Sequence, residues 1–145
     1  VVDFKLVRKG GNILNYLING LEMNPPTNMN LVMETESKLG AKFPRDYKEF
    51  IVHYNGAVGT VGNTYIHLWA IDELEELNEG YAVREFADGL VIFGSDGGGT
   101  AYAFDTRYEE TTIVEVPFIG MDLDEITKCS DTFTGFLEHL ASLTD

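Results

Sequence analysis

Leu90-Val91-Ile92-Phe93-Gly94-Ser95-Asp96-Gly97-Gly98-Gly99-Thr100-Ala101-Tyr102-Ala103-Phe104-Asp105 holds two strands and the turn between them. Leu90 to Gly94 is a short apolar run that ends in glycines. Ala101 to Asp105 alternates small and large side chains, the pattern of a strand with two different faces. The glycines between them suit a hairpin or bulged turn that needs positive φ. A third strand, Thr111-Thr112-Ile113-Val114-Glu115-Val116, is rich in β-branched residues and stops at Pro117. Tight spacing between strands predicts an antiparallel sheet.

Upstream, the periodicity changes. Tyr47, Phe50, Ile51 and Tyr54 form one apolar stripe behind Pro44, and Asn55-Gly56 ends it. Leu31, Thr35 and Leu39 predict a helix over 30–39, with Gly40 as its C-terminal stop. Leu14, Leu17, Ile18 and Leu21 predict a short helix over 12–21, closed off by Asn24-Pro25-Pro26. Gly59, Gly62 and Asn63 read as a loop, and residues 65–70 as a further strand. Ile71, Leu74 and Leu77 line one side of a helical piece whose other side carries Asp72, Glu73, Glu75, Glu76 and Glu79. Phe133, Phe136, Leu137 and Leu140 give a closing helix, capped by Ser130 or Asp131. Helices, then strands, then a helix on a mainly antiparallel or mixed sheet make a single α+β domain, an ordinary outcome for 145 residues.

Charge narrows the function classes. The net charge is −14, which repels phosphate backbones and anionic membrane surfaces, so neither direct nucleic-acid binding nor a membrane role is expected. The acidity is uneven. Residues 1–50 hold seven bases and six acids, whereas residues 51–145 hold only Arg84, Arg107 and Lys128 against eighteen acids. Such a surface keeps a protein dispersed or docks a basic partner. No run of 18 apolar residues exists, and Val1-Val2-Asp3-Phe4-Lys5 lacks the features of a signal peptide. The lone cysteine, Cys129, suits a reducing compartment, and the cytoplasm is the expected location.

Catalytic patterns are not found. The glycine loop precedes a strand, contains Asp96 and has no adjacent Lys, unlike a phosphate loop. Ser95 is not in a nucleophile elbow, since Phe93 stands where the first glycine belongs. His53, His67 and His139 fall on three separate elements, so no metal site is expected. A hairpin could bring Asp96 and Asp105 together, yet a calcium loop needs more oxygens at fixed offsets. Cys129 lies beside Lys128, which lowers a thiol pKa only if the sulfur is exposed, and an inert cysteine near a helix start is the simpler reading. No enzyme activity and no cofactor are expected.

Three motifs together resemble a known family. Glu36-x-x-Leu39-Gly40-x-x-Phe43-Pro44-x-Asp46-Tyr47-x-x-Phe50 followed by Asn55-Gly56 is similar to the N-terminal signature of the SUKH superfamily, the Smi/Knr-like proteins. Phe93-Gly94-Ser95-Asp96-Gly97-Gly98-Gly99 with Tyr102-x-Phe104-Asp105 resembles its central hairpin, and Phe133-x-x-Phe136-Leu137 its closing helix. The resemblance covers about residues 30–141. It implies a domain over 30–145, with residues 1–29 as an N-terminal extension on or beside the core. The shared residues shape backbone and core, and form no catalytic set. For many bacterial members the implied role is immunity: binding and neutralising a cognate toxin, often a nuclease with a basic cleft. The expected contact face is then Asp72, Glu73, Glu75, Glu76 and Glu79, with Glu109 and Glu110 on a neighbouring loop. The alternative is a scaffold, regulatory or ligand-binding module of the same fold.

Overall fold

The computed structural model describes residues 12–143, so the basic residues Lys5, Arg8 and Lys9 and the first part of the extension lie outside it. Seven strands form one sheet: β1 (Leu21–Met23), β2 (Ala57–Val61), β3 (Thr64–Leu68), β4 (Leu90–Ser95), β5 (Thr100–Asp105), β6 (Thr112–Pro117) and β7 (Thr127–Ser130). They lie side by side in chain order, and every neighbouring pair is antiparallel. Six helices accompany them: α1 (Asn12–Ile18), α2 (Met29–Leu39), α3 (Arg45–His53), α4 (Leu74–Gly80), α5 (Val83–Phe86) and α6 (Phe133–Ser142). Short 3₁₀ turns at Ile71–Glu73 and Leu123–Glu125 complete the described residues. The α+β expectation holds, and the sheet is wholly antiparallel rather than mixed.

The hairpin predicted from residues 90–105 is the centre of the sheet. All of β4 is buried, and β5 is buried from Ala101 onward. The large side chains of β5, Tyr102 and Phe104, enter an aromatic layer with α3 and α6. Phe93 and Phe104 stack at 4.2 Å, and Tyr47 of α3 meets Phe104 edge-on at 4.8 Å and Phe133 at 5.4 Å. The small residues Ala101 and Ala103 face the other way, in register with Ile92, Val114 and Val116, and all five are buried. The alternation in sequence thus separates an aromatic face, packed against α3 and α6, from a face of small and aliphatic side chains. The register slips between Ile92 and Gly94, which makes Phe93 an extra residue in β4.

The Tyr47 hydroxyl is buried in the aromatic layer without a hydrogen-bond partner. Burial pushes its pKa upward. Removing an unsatisfied buried hydroxyl while keeping the ring recovers its desolvation cost. Tyr47→Phe is therefore expected to stabilise the protein by about 1 kcal/mol, a rise in melting temperature of about 2–4 °C by calorimetry. A fall of that size would mean that the hydroxyl has a partner after all.

Several local readings need correction. The first helix ends at Ile18, and Leu21, expected on its stripe, begins β1. Residues 57–61, read as part of a glycine loop, form β2. Gly59 is there because β1 passes so close that a Cβ would strike the Gly20 carbonyl. Pro44, ahead of the predicted stripe, is the N-cap of α3. The N-cap of α6 is Thr132, whose side chain accepts from Gly135 N at 2.9 Å, while Asp131 pairs with Lys128. Cys129 lies on β7, not at a helix start.

The motif residues act at the joints between elements. Asn55 Oδ1 accepts from Ile71 N at 2.7 Å and Asn55 Nδ2 donates to Asp72, so the end of α3 holds the 3₁₀ turn. Asp46, in the first turn of α3, accepts from Phe133 N at 3.0 Å and Thr134 N at 2.8 Å at the start of α6. Glu36 accepts from Phe43 N at 2.7 Å and pairs with Lys48.

Candidate functional site

The acidic segment is shaped by where β3 stops. β3 pairs with β4 only at His67↔Ser95 and Leu68↔Gly94, then the chain leaves the sheet through Trp69. It turns through Ile71–Glu73 into α4, with Ile71, Leu74 and Asn78 facing inward. Asp72, Glu73, Glu75, Glu76 and Glu79 all lie exposed, as their spacing predicts.

These carboxylates are not equivalent. Asp72 accepts from Asn55, and Glu73 accepts from Ala70 N at 3.0 Å, closing the 3₁₀ turn. Glu75 stands 3.9 Å from Lys38, which also pairs with Glu34. Among the described residues, Glu76 and Glu79 have no ion-pair or hydrogen-bond partner for their side chains. Glu109 and Glu110 are likewise exposed and unpartnered, on the β5–β6 loop.

That loop is held firmly from below. Arg107 donates to both oxygens of Asp105 at 2.9 Å, and Thr106 donates to Gly89 O through its backbone and its hydroxyl. Burial alone would raise the pKa of Asp105, but the bonds and charge of Arg107 hold it below the usual carboxylate value. The two acidic groups thus sit on separate elements, and no ion pair or hydrogen bond among the described residues bridges them. Lys38 and Arg107 interrupt the negative charge beside each group.

Asp96 and Asp105 do not meet. Asp96 accepts from Gly98 N at 2.8 Å and Thr100 N at 3.1 Å, which fastens the β4–β5 turn, whereas Asp105 lies at the opposite end of β5. Gly97, with φ of 81°, gives that turn its left-handed residue. The loop therefore serves the hairpin.

The fold brings Cys129 and His139 together, although they lie on different elements. One ligating atom from each of Glu115 on β6, Cys129 on β7 and His139 on α6 lies within 4.8 Å of the others. All three residues are half-buried. Lys128 turns away to Asp131 at 2.6 Å and does not activate the thiol. Burial, with Glu115 nearby, pushes Cys129 up to about 12. The signal in the sequence is Glu115 itself, an acid between Val114 and Val116 in a β-branched run.

A seven-stranded antiparallel meander flanked by helices, with its motif residues at the joints between elements, defines a small α+β domain. The sequence pattern of the SMI1 / KNR4 family (SUKH-1) matches residues 26–139, and the chain belongs to that family. It is also 35% identical over 120 residues to the uncharacterized protein YnaB of Bacillus subtilis (strain 168), a match that spans 81% of this chain and 78% of that protein. Residues 12–25, ahead of the family match, contribute α1 and the edge strand β1. No helix among the described residues is long and apolar enough to cross a membrane.

Proposed function

We propose that this chain is an immunity protein, acting in the cytoplasm without catalysis of its own, that neutralises a nuclease toxin by docking an acidic surface into its basic cleft. Family membership supports the immunity role. The observation that points to the surface is the set of four exposed carboxylates, Glu76, Glu79, Glu109 and Glu110, which have no partner among the described residues. Such charges cost nothing to redirect toward a cation and accelerate encounter with a basic partner. Asp72, Glu73 and Glu75 add to the field but are already engaged at home.

The test is association with the toxin domain encoded beside this gene, measured by stopped-flow at several salt concentrations. Charge reversal of Glu76, Glu79, Glu109 and Glu110 to Lys is expected to slow association at least about tenfold at low salt and to flatten its salt dependence. Unchanged rates would mean that another surface makes the contact. Failure of the unaltered protein to bind the toxin or rescue cells from it would overturn the immunity reading itself. Glu73 is a poor site for this reversal, because losing its bond to Ala70 N costs about 1 kcal/mol of stability and blurs the result.

A further inference from the structure

We infer that Glu115, Cys129 and His139 form a binding site for a divalent cation of zinc type. The three residues come from β6, β7 and α6. They offer one oxygen, one sulfur and one nitrogen, all within 4.8 Å of one another. A tetrahedral zinc site with ordinary bond lengths separates such atoms by about 3.5 Å, so side-chain rotations of about 1 Å close the set around an ion. Three protein donors leave a fourth position for water.

The surroundings favour a cation. Among the described residues Glu115 has no basic partner, and its one hydrogen-bonding neighbour is the Cys129 thiol at 3.9 Å. The His139 ring has no hydrogen bond among them either. Tyr102, nearly buried, stands directly across from Glu115 on β5 and adds no positive charge. A half-buried carboxylate, thiol and imidazole with no cation between them are groups that a borderline-soft metal satisfies together. Magnesium and calcium would demand more oxygens and reject the sulfur. Coordination takes the thiolate, so the Cys129 proton leaves to solvent as the ion binds. The bound ion would tie α6 to the margin of the sheet. This site is independent of the proposed toxin contact.

Cobalt(II) titration of the full chain, freed of metal by chelation, tests the inference. One equivalent is expected to saturate, with the visible d–d bands of a tetrahedral ion and a sulfur-to-cobalt charge-transfer band in the near ultraviolet. Zinc should displace it and erase both. Zinc at about 100 times its dissociation constant should raise the melting temperature by about 5–10 °C. Cys129→Ser should abolish the charge-transfer band, and His139→Gln or Glu115→Ala should weaken binding at least about tenfold. If these variants fail to fold, X-ray absorption of the zinc-loaded parent protein still decides, since one sulfur in the coordination shell is required. Absence of binding, unsaturable binding without a charge-transfer band, or a band that survives Cys129→Ser would overturn the site and leave only ions scattered over the acidic surface.

Discussion

Replacing Asn78 with alanine is expected to destabilise this protein by about 4 kcal/mol, a fall in melting temperature of about 8–16 °C. Asn78 is buried and does the work of a missing strand. Its amide donates to Ile92 O at 3.0 Å and to Leu74 O at 2.8 Å, and its oxygen accepts from Ile92 N at 2.9 Å. β3 has already left the sheet at that level, so both Ile92 backbone groups depend on this side chain. Alanine would strand a buried donor and a buried acceptor, each costing about 1–3 kcal/mol. Asn78→Asp separates this from a simple loss of volume. It keeps the size but removes the donor and sets a carboxylate against two carbonyls, so it should be at least as damaging. Chemical denaturation checks both variants, and amide exchange at Ile92 should rise in step. A cost below about 1 kcal/mol for either would mean that water or a shifted β3 replaces the amide.

The second large effect belongs to Asp46. Asp46→Ala is expected to cost about 3 kcal/mol, because both carboxylate oxygens accept from N-terminal amides of α6, at Phe133 and Thr134, that have no partner within the helix. The bonds span the chain from the first turn of α3 to the last helix, and they seat the Phe133 ring against Tyr47. Asp46→Asn should cost roughly half as much, since one amide oxygen still accepts while the charge and the second acceptor are lost. Faster exchange of the Phe133 and Thr134 amides, with Phe136 less affected, would locate the damage at the helix start. Equal stability of the aspartate and alanine forms would show that Thr132 alone caps α6.

The parts of the fold that were legible are those whose pattern is local. Alternation over 101–105 and the stripes at 47–54 and 133–140 arise from one element facing one layer, so β5, α3 and α6 can be read off directly. β1, β2 and β7 could not. Ala57-Val58-Gly59-Thr60-Val61 looks like a loop because its glycine is required by a neighbouring strand 38 residues upstream in the register, Leu21. Thr127-Lys128-Cys129-Ser130 is half exposed and half only partly buried, and carries no apolar alternation. The candidate site divides in the same way. Helical spacing predicts that the acids of 72–79 point outward, and they do. Which of them are already bonded depends on Asn55, Ala70 and Lys38, which reach them through tertiary contacts. The Glu115–Cys129–His139 cluster needs the β6–β7 register and the return of α6, and neither is written in residue spacing.

The two outermost strands are also the shortest, three residues in β1 and four in β7. An open sheet invites a further chain to zip onto its unpaired amides, and brief flanks give such an intruder almost nothing to grip. Among the described residues the sheet thus offers little edge for ladder extension, and its larger accessible surfaces are the side chains of its helices and turns.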